Sequence, residues 1–265
     1  SLQNVFIMRS FEKEVFMILA EKVALVTGAS RGIGAASAIL LAHNGAAVAV
    51  NYFQSPDAAN GVVEKIQAGG GKAFVVKADV RDPKQATEMV EETEKTLGPV
   101  DILVNNASIG FPIKPFMEFT WEEMEAKLTS EIRASFNCCQ AVIPGMLSKE
   151  YGRIINISSG LSKSPGAGFV AHSTAKAGLD SFTRALAHEF GPNGITVNTV
   201  APGLTETDAT SFLPQEAKDG YAAHVPLRRI GMPDDVAGAV LFYAADYSRF
   251  ITGSYLPVDG GSIML

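Results

Sequence analysis

The apolar run Val23-Ala24-Leu25-Val26 leads directly into Thr27-Gly28-Ala29-Ser30-Arg31-Gly32-Ile33-Gly34, and a helical pattern follows until Gly45. A buried strand, a glycine cluster and a helix in that order open a βαβ unit. Gly28 permits the tight turn, Gly32 lets the backbone approach a pyrophosphate, and Gly34 lets helix and strand pack closely. The helix N-terminus then presents unpaired N–H groups to an anion. Between a first strand and a first helix, the stretch from Gly28 through Ser30, Arg31, Gly32 and Ile33 to Gly34 is a strong candidate phosphate site.

The alternation continues to the C-terminus. Short β-branched runs predict strands at 47–51, 73–77, 102–104, 153–157, 195–200 and 254–258. Between them the spacing predicts helices over 56–67, 83–97, 121–146, 170–190 and 233–246. Parallel strands joined by right-handed helical crossovers leave few packings. The expected fold is α/β, a single Rossmann-type domain whose doubly wound parallel sheet carries helices on both faces. The domain is expected over 21–265, with an N-terminal extension or added leader over 1–20. The stretch from Gly203 to Ile230 is too long for a simple connection and reads as a functional lid.

Composition narrows the class. Hydrophobic residues are 47% of the chain and charged ones 19%, enough apolar surface for a large core and too much for disorder. The 25 glycines follow no collagen-like period, so they serve turns and close approaches. A net charge of -6 argues against nucleic acid or an anionic membrane as the main partner. No uncharged apolar run is long enough to span a bilayer. Cys138 and Cys139 are adjacent and cannot staple distant segments, which suits a reducing cytoplasm, and no metal is expected.

The glycine spacing, Asn105-Asn106-Ala107-Ser108 after the fourth strand and Pro202-Gly203 after the sixth together resemble the short-chain dehydrogenase/reductase family, in its 3-oxoacyl-ACP reductase-like branch. The resemblance covers nearly the whole chain from Glu21. It implies that Asp79 and Val80 hold an adenine, that Asn106 and Ala107 lie beside the cofactor ribose, and that Thr205 and Thr207 approach a nicotinamide carboxamide after the Pro202-Gly203 turn. Ser108 stands where the family usually has glycine.

Charge selects among the nicotinamide cofactors. An acidic residue ending the second strand would bind a ribose 2′-OH and repel a 2′-phosphate. Here the strand ends at Asn51-Tyr52, followed by Ser55, and Arg31 stands in the loop ready for a phosphate. The pattern favours NADP(H), with NAD(H) the less favoured cofactor.

The resemblance also implies four catalytic positions, a Ser, a Tyr, a Lys at i+4 from the Tyr, and an Asn on the long helix. Ser159 and Lys176 occupy their places, but His172 replaces the Tyr and Glu131 replaces the Asn. None of the six tyrosines lies four residues before Lys176, so no shift of alignment restores the pattern. Lys176 is expected to lower and Glu131 to raise the His172 pKa, leaving the imidazole poised to shuttle a proton near neutral pH. The alternative role for Glu131 is only to neutralise Lys176 or Arg133. Three readings therefore stay open: an NADP(H)-dependent ketoreductase-like oxidoreductase with a Ser-His-Lys-Glu site, a non-redox enzyme using a His–Glu pair, and a catalytically silent cofactor-binding subunit.

Phe111, Pro112, Ile113 and Phe116, with Phe212, Leu213 and Tyr221 of the lid, fit a hydrophobic carbonyl compound or an acyl thioester. Arg228 and Arg229 are candidate partners of a carrier phosphate. The resemblance implies a homotetramer, with a dimer as the alternative, and the apolar helix around Phe136, Cys138, Cys139, Ala141 and Val142 is consistent with buried helix faces.

Overall fold

The computed structural model describes residues 17–264. Among the described residues, seven strands alternate with α-helices, two of which precede the last strand: β1 Val23–Val26, α1 Gly32–His43, β2 Ala47–Tyr52, α2 Pro56–Ala68, β3 Lys72–Lys77, α3 Pro83–Leu97, β4 Ile102–Asn105, α4 Trp121–Lys149, β5 Gly152–Ile157, α5 Val170–Phe190, β6 Ile195–Pro202, α6 Gln215–His224, α7 Pro233–Ala244 and β7 Tyr255–Val258. All strand pairs are parallel, in the order β3-β2-β1-β4-β5-β6-β7. The doubly wound sheet expected from the sequence is therefore present.

Burial follows the two-residue period of a strand. Ala24 and Val26 of β1, with Ile102 and Val104 of β4, enter one core beside Leu41, Val62, Ile66 and Val240 of α1, α2 and α7. Leu25 and Leu103 point the other way, into a second core with Met89, Cys138, Val142 and Ala187 of α3, α4 and α5. Sequence-coded caps fix two helix starts. Asp82 Oδ1 accepts from the Lys84 and Gln85 amides at 2.9 and 3.1 Å. Thr120 and Glu123 form a reciprocal capping box at the head of α4.

Three local expectations change. Helix α4 continues through Pro144 to Lys149. The lid contains a ten-residue helix, α6, whose Gln, Glu, Ala and Lys are good helix formers hidden among turn residues. Leu19 is buried in the first core and its amide donates to the Asn44 carbonyl at 2.8 Å, so packing begins ahead of Glu21. The rest of the expected extension, residues 1–16, lies outside the described residues.

The strand order reverses between β1 and β4, and side chains beyond the C-terminal ends of strands at such a point line a crevice. Both the glycine loop after β1 and the Asn106-Ala107-Ser108 segment after β4 emerge there. Among the described residues, no helix is long and apolar enough to cross a membrane.

Candidate active site

The glycine loop is held from three sides. Thr27 Oγ1 accepts from the Asn106 and Ala107 amides at 2.9 and 3.0 Å. Asn106 Nδ2 donates back to the Thr27 and Gly28 carbonyls at 2.9 and 3.0 Å. The Gly28 amide donates to Asn51 Oδ1 at 3.1 Å. Gly28 and Gly32 have φ of +60° and +56°, conformations that side chains disfavour. A Cβ on Gly34 would lie 2.5 Å from Asn106 Nδ2 and 2.6 Å from the Gly28 carbonyl oxygen. The loop is thus fixed against Asn106 and turns at Gly28 and Gly32 into the head of α1, a backbone cradle that fits a pyrophosphate. Ser30 and Ile33 are partly buried within it.

Arg31 reaches out of this cradle. Its Nη2 donates to Ser55 Oγ at 2.5 Å, and its Nη1 meets Asp208 Oδ2 of the lid at 3.2 Å. Thr207 lies above Gly32, whose added Cβ would touch Thr207 Cγ2 at 3.4 Å. The lid also closes on the Pro202-Gly203 turn, where Tyr221 Oη of α6 accepts from the Leu204 amide at 3.3 Å. Thr205 is buried, its hydroxyl donating to the Gly203 carbonyl at 3.1 Å.

Several residues expected at the cofactor act as supports. Asn51 is buried, and its Nδ2 donates to the Val76 and Ala78 carbonyls at 3.3 Å while its Oδ1 holds Gly28. It tethers the loop to the sheet and is closed to a ligand, whereas Tyr52 beside it is partly exposed. Asp79 gives both carboxylate oxygens to Arg81, at 2.8 and 2.6 Å, and these hydrogen bonds hold its carboxyl below the usual range. Val80 is buried, its carbonyl accepting from Asn137 Nδ2 at 3.0 Å. In the lid, Arg229 is bidentate with Asp235 at 2.5 and 2.7 Å, and Arg228 donates to the Ala223 carbonyl.

At the other side of the crevice, α4 and α5 bring a charged centre together. Glu131 Oε2 accepts from Lys127 Nζ at 2.7 Å and from Ser108 Oγ at 3.0 Å, while Oε1 accepts from Lys176 Nζ. Lys176 Nζ also donates to the Ile157 carbonyl at 2.7 Å. Burial pushes the Glu131 carboxyl up, but the two ammonium groups outweigh it and hold it below the usual carboxylate range. Lys127 was not expected here. Its signal was the i,i+4 spacing to Glu131, which normally reads as a weak surface pair. Here the side chains are 1% and 2% exposed.

His172 sits in the first turn of α5, stacked against Phe111 of the loop after β4. Its Nδ1 is buried without a hydrogen-bond partner. Burial, then Lys176 and Lys127, lower its pKa to about 3, against the weaker pull of Glu131. The positive end of α5 acts in the same direction. The expectation of an imidazole poised near neutrality is corrected by this packing. Glu131 makes no hydrogen bond to His172, because both carboxylate oxygens go to lysines and Ser108. Arg133, the other candidate partner of Glu131, is exposed. Ser159 caps the turn after β5, its Oγ accepting from the Leu161 amide at 3.2 Å, which leaves its own O–H free to donate.

A groove of about 720 Å³ runs beside this centre, lined in part by Phe116, Leu161, Val170, Thr174 and Ala177. These α5 positions are turned away from His172 and Lys176 by the helix period, and the lid aromatics do not line it.

Comparison with known proteins agrees with the fold. The family profile described as Enoyl-(Acyl carrier protein) reductase matches residues 28–262. The 3-oxoacyl-(acyl-carrier-protein) reductase FabG of Staphylococcus epidermidis is 42% identical over 246 residues, covering 92% of this chain and 99% of the relative. The 3-oxoacyl-(acyl-carrier-protein) reductase of Synechocystis sp. is 41% identical over 247 residues, covering 93% and 98%. A solved structure, of a blue fluorescent protein from a metagenomic library in complex with NADPH, superposes with a TM-score of 0.85 at 39% identity, covering 93% of this chain and 99% of that one.

Proposed function

We propose, the chain being a member of the short-chain dehydrogenase/reductase family in its 3-oxoacyl-ACP reductase-like branch, that it is an NADP(H)-dependent oxidoreductase acting on a hydrophobic carbonyl, with an acyl thioester as the leading substrate class. The observation that carries this reading is the cofactor cradle: a loop held in shape by Gly28 and Gly32 at positive φ and by Gly34 packed against Asn106, the head of α1 behind it, and Arg31 with Ser55 at its edge. Gly28 to Gly34 would hold the pyrophosphate, and Arg31 with Ser55 a 2′-phosphate. Asn106 and Ala107 would flank the ribose with Lys176, and Thr205 and Thr207 the carboxamide. When bound, the nicotinamide supplies or takes the hydride.

The chain's own residues polarise the carbonyl. Ser159 O–H and neutral His172, through Nε2–H, donate to its oxygen. With Nδ1 buried, Nε2 is the nitrogen left for substrate. An imidazole titrating near 3 carries no second proton at pH 7, so His172 orients and polarises without shuttling. Lys176 has three N–H donors and places two on Glu131 and Ile157, leaving one as the proton source. That same neutral imidazole is the observation favouring the second reading, a silent cofactor-binding subunit. The non-redox reading loses its His–Glu pair to the lysine contacts. A cytoplasmic location and a homo-oligomer complete the proposal, the latter supported by Tyr247 and Phe250, exposed beside the C-terminal edge of the sheet.

The test follows NADPH absorbance with 3-oxoacyl thioesters and cyclic ketones. Turnover that His172→Phe abolishes, with NADPH binding retained, is expected. Tight NADPH binding without turnover of any carbonyl gives the site to the silent subunit.

A further inference from the structure

We infer that Lys127 is a positioning residue that balances Glu131, so that Lys176 keeps an uncancelled positive charge facing the cofactor crevice. The inference rests on the reading of that crevice as an NADP(H) site. Lys127 Nζ spends all three of its protons inside the protein, on Glu131 Oε2 at 2.7 Å, Ser108 Oγ at 2.8 Å and the Ile109 carbonyl at 3.1 Å. It has none left for a substrate, so any effect on the site passes through its partners.

The charge count gives the first effect. Glu131 lies between two ammonium groups, and all three side chains are 5% exposed or less. Water and salt screen little there. Two cations against one carboxylate leave one positive charge. Without Lys127 the carboxylate would cancel Lys176, the less deeply buried of the two cations. A second effect runs through the loop after β4. Lys127 grips Ser108 and Ile109 and lies 5.1 Å over the ring of Phe111, the ring that covers His172. One buried lysine thus ties the charge of Lys176 to the cover of His172.

The experiment compares wild type with Lys127→Met, Glu131→Gln and the double variant. It reads NADPH Kd by fluorescence titration and the His172 midpoint by NMR, neither of which needs turnover. Lys127→Met is expected to raise Kd about tenfold, the scale of one unit charge acting on an anion about 10 Å away at an effective dielectric of about 20. It is also expected to move the His172 midpoint upward by removing a nearby cation. The double variant removes one charge of each sign and recovers most of the lost affinity. If Lys127→Met fails to fold, Lys127→Gln, which keeps an N–H donor toward Glu131 but removes the charge, takes its place with the same expected rise in Kd.

A change in melting temperature alone, with Kd and the His172 midpoint unmoved, overturns the proposal and leaves Lys127 a structural counter-ion. So does a double variant that only adds the two single losses. Failure of wild type to bind NADPH would instead overturn the cofactor reading. The His172 midpoint in Lys127→Met then decides the Lys127 assignment by itself.

Discussion

The imidazole of His172 lies parallel to the ring of Phe111, with centroids 4.3 Å apart and planes 15° from coplanar. Phe111 is itself braced edge-on by Phe169 at 6.2 Å. The stack covers one face of the imidazole and keeps water from Nδ1, and burial is the largest cause of the low His172 pKa. A residue of the loop after β4 therefore sets the protonation state of a residue on α5.

Phe111→Ala uncovers that face. The His172 midpoint is expected to rise from about 3 toward its ordinary 6.5. NMR titration of the ring protons reads the shift directly. An unmoved midpoint would show that the lysine charges and the helix end suffice without the aromatic cover.

The wild-type protein is expected to show no imidazole inflection in kcat/KM between pH 6 and 8, since His172 stays neutral throughout. Stability behaves differently. The folded pKa is depressed, so between about 3 and 6.5 the unfolded chain binds the proton and the folded one does not. This contribution is complete above pH 6.5 and is lost as pH falls toward 3. Chemical denaturation at pH 7.5 and pH 5 checks the sign, and His172→Phe should flatten the part due to this residue.

Arg31→Ala removes the cation at the edge of the glycine loop. Hydrogen bonds to charged groups contribute about 1.5–3 kcal/mol, so NADPH affinity should fall roughly 10- to 150-fold. NADH, which lacks the 2′-phosphate, should change little. Asp208→Asn should tighten NADPH modestly by releasing Arg31 from its lid partner at 3.2 Å. Equal losses for both cofactors would place the 2′-phosphate elsewhere.

Gly34→Ala asks whether the cradle needs a bare backbone. The new Cβ would meet Asn106 Nδ2 at 2.5 Å and the Gly28 carbonyl at 2.6 Å, too close for either to stay. Loss of the Asn106 contacts should open the loop and abolish NADPH binding in a fluorescence titration. Gly61→Ala, with open space around its Cβ position, is the control and should bind normally.

The sequence by itself determined the order of the strands and of every helix but α6, the parallel sheet and the cradle, because each is written in short-range signals. Unbroken apolar runs marked Val23–Val26 and Ile102–Val104 as buried strands, and Gly28, Gly32 and Gly34 marked the turn whose backbone disfavours side chains. The same reading picked out Ser159, His172, Lys176 and Glu131 as unusual neighbours. The tertiary structure alone decided what they are to each other. Glu131 and Lys176 are 45 residues apart, and Lys127 joined them only when α4 turned its inner face to α5. That Asn51 tethers the glycine loop and that Asp79 pairs with Arg81 are contacts made only on packing. The charge of His172 followed from burial and from two cations facing one carboxylate. Periodicity and turn chemistry act along the chain, whereas desolvation and Coulomb forces act through space, and their balance exists only once the chain has folded.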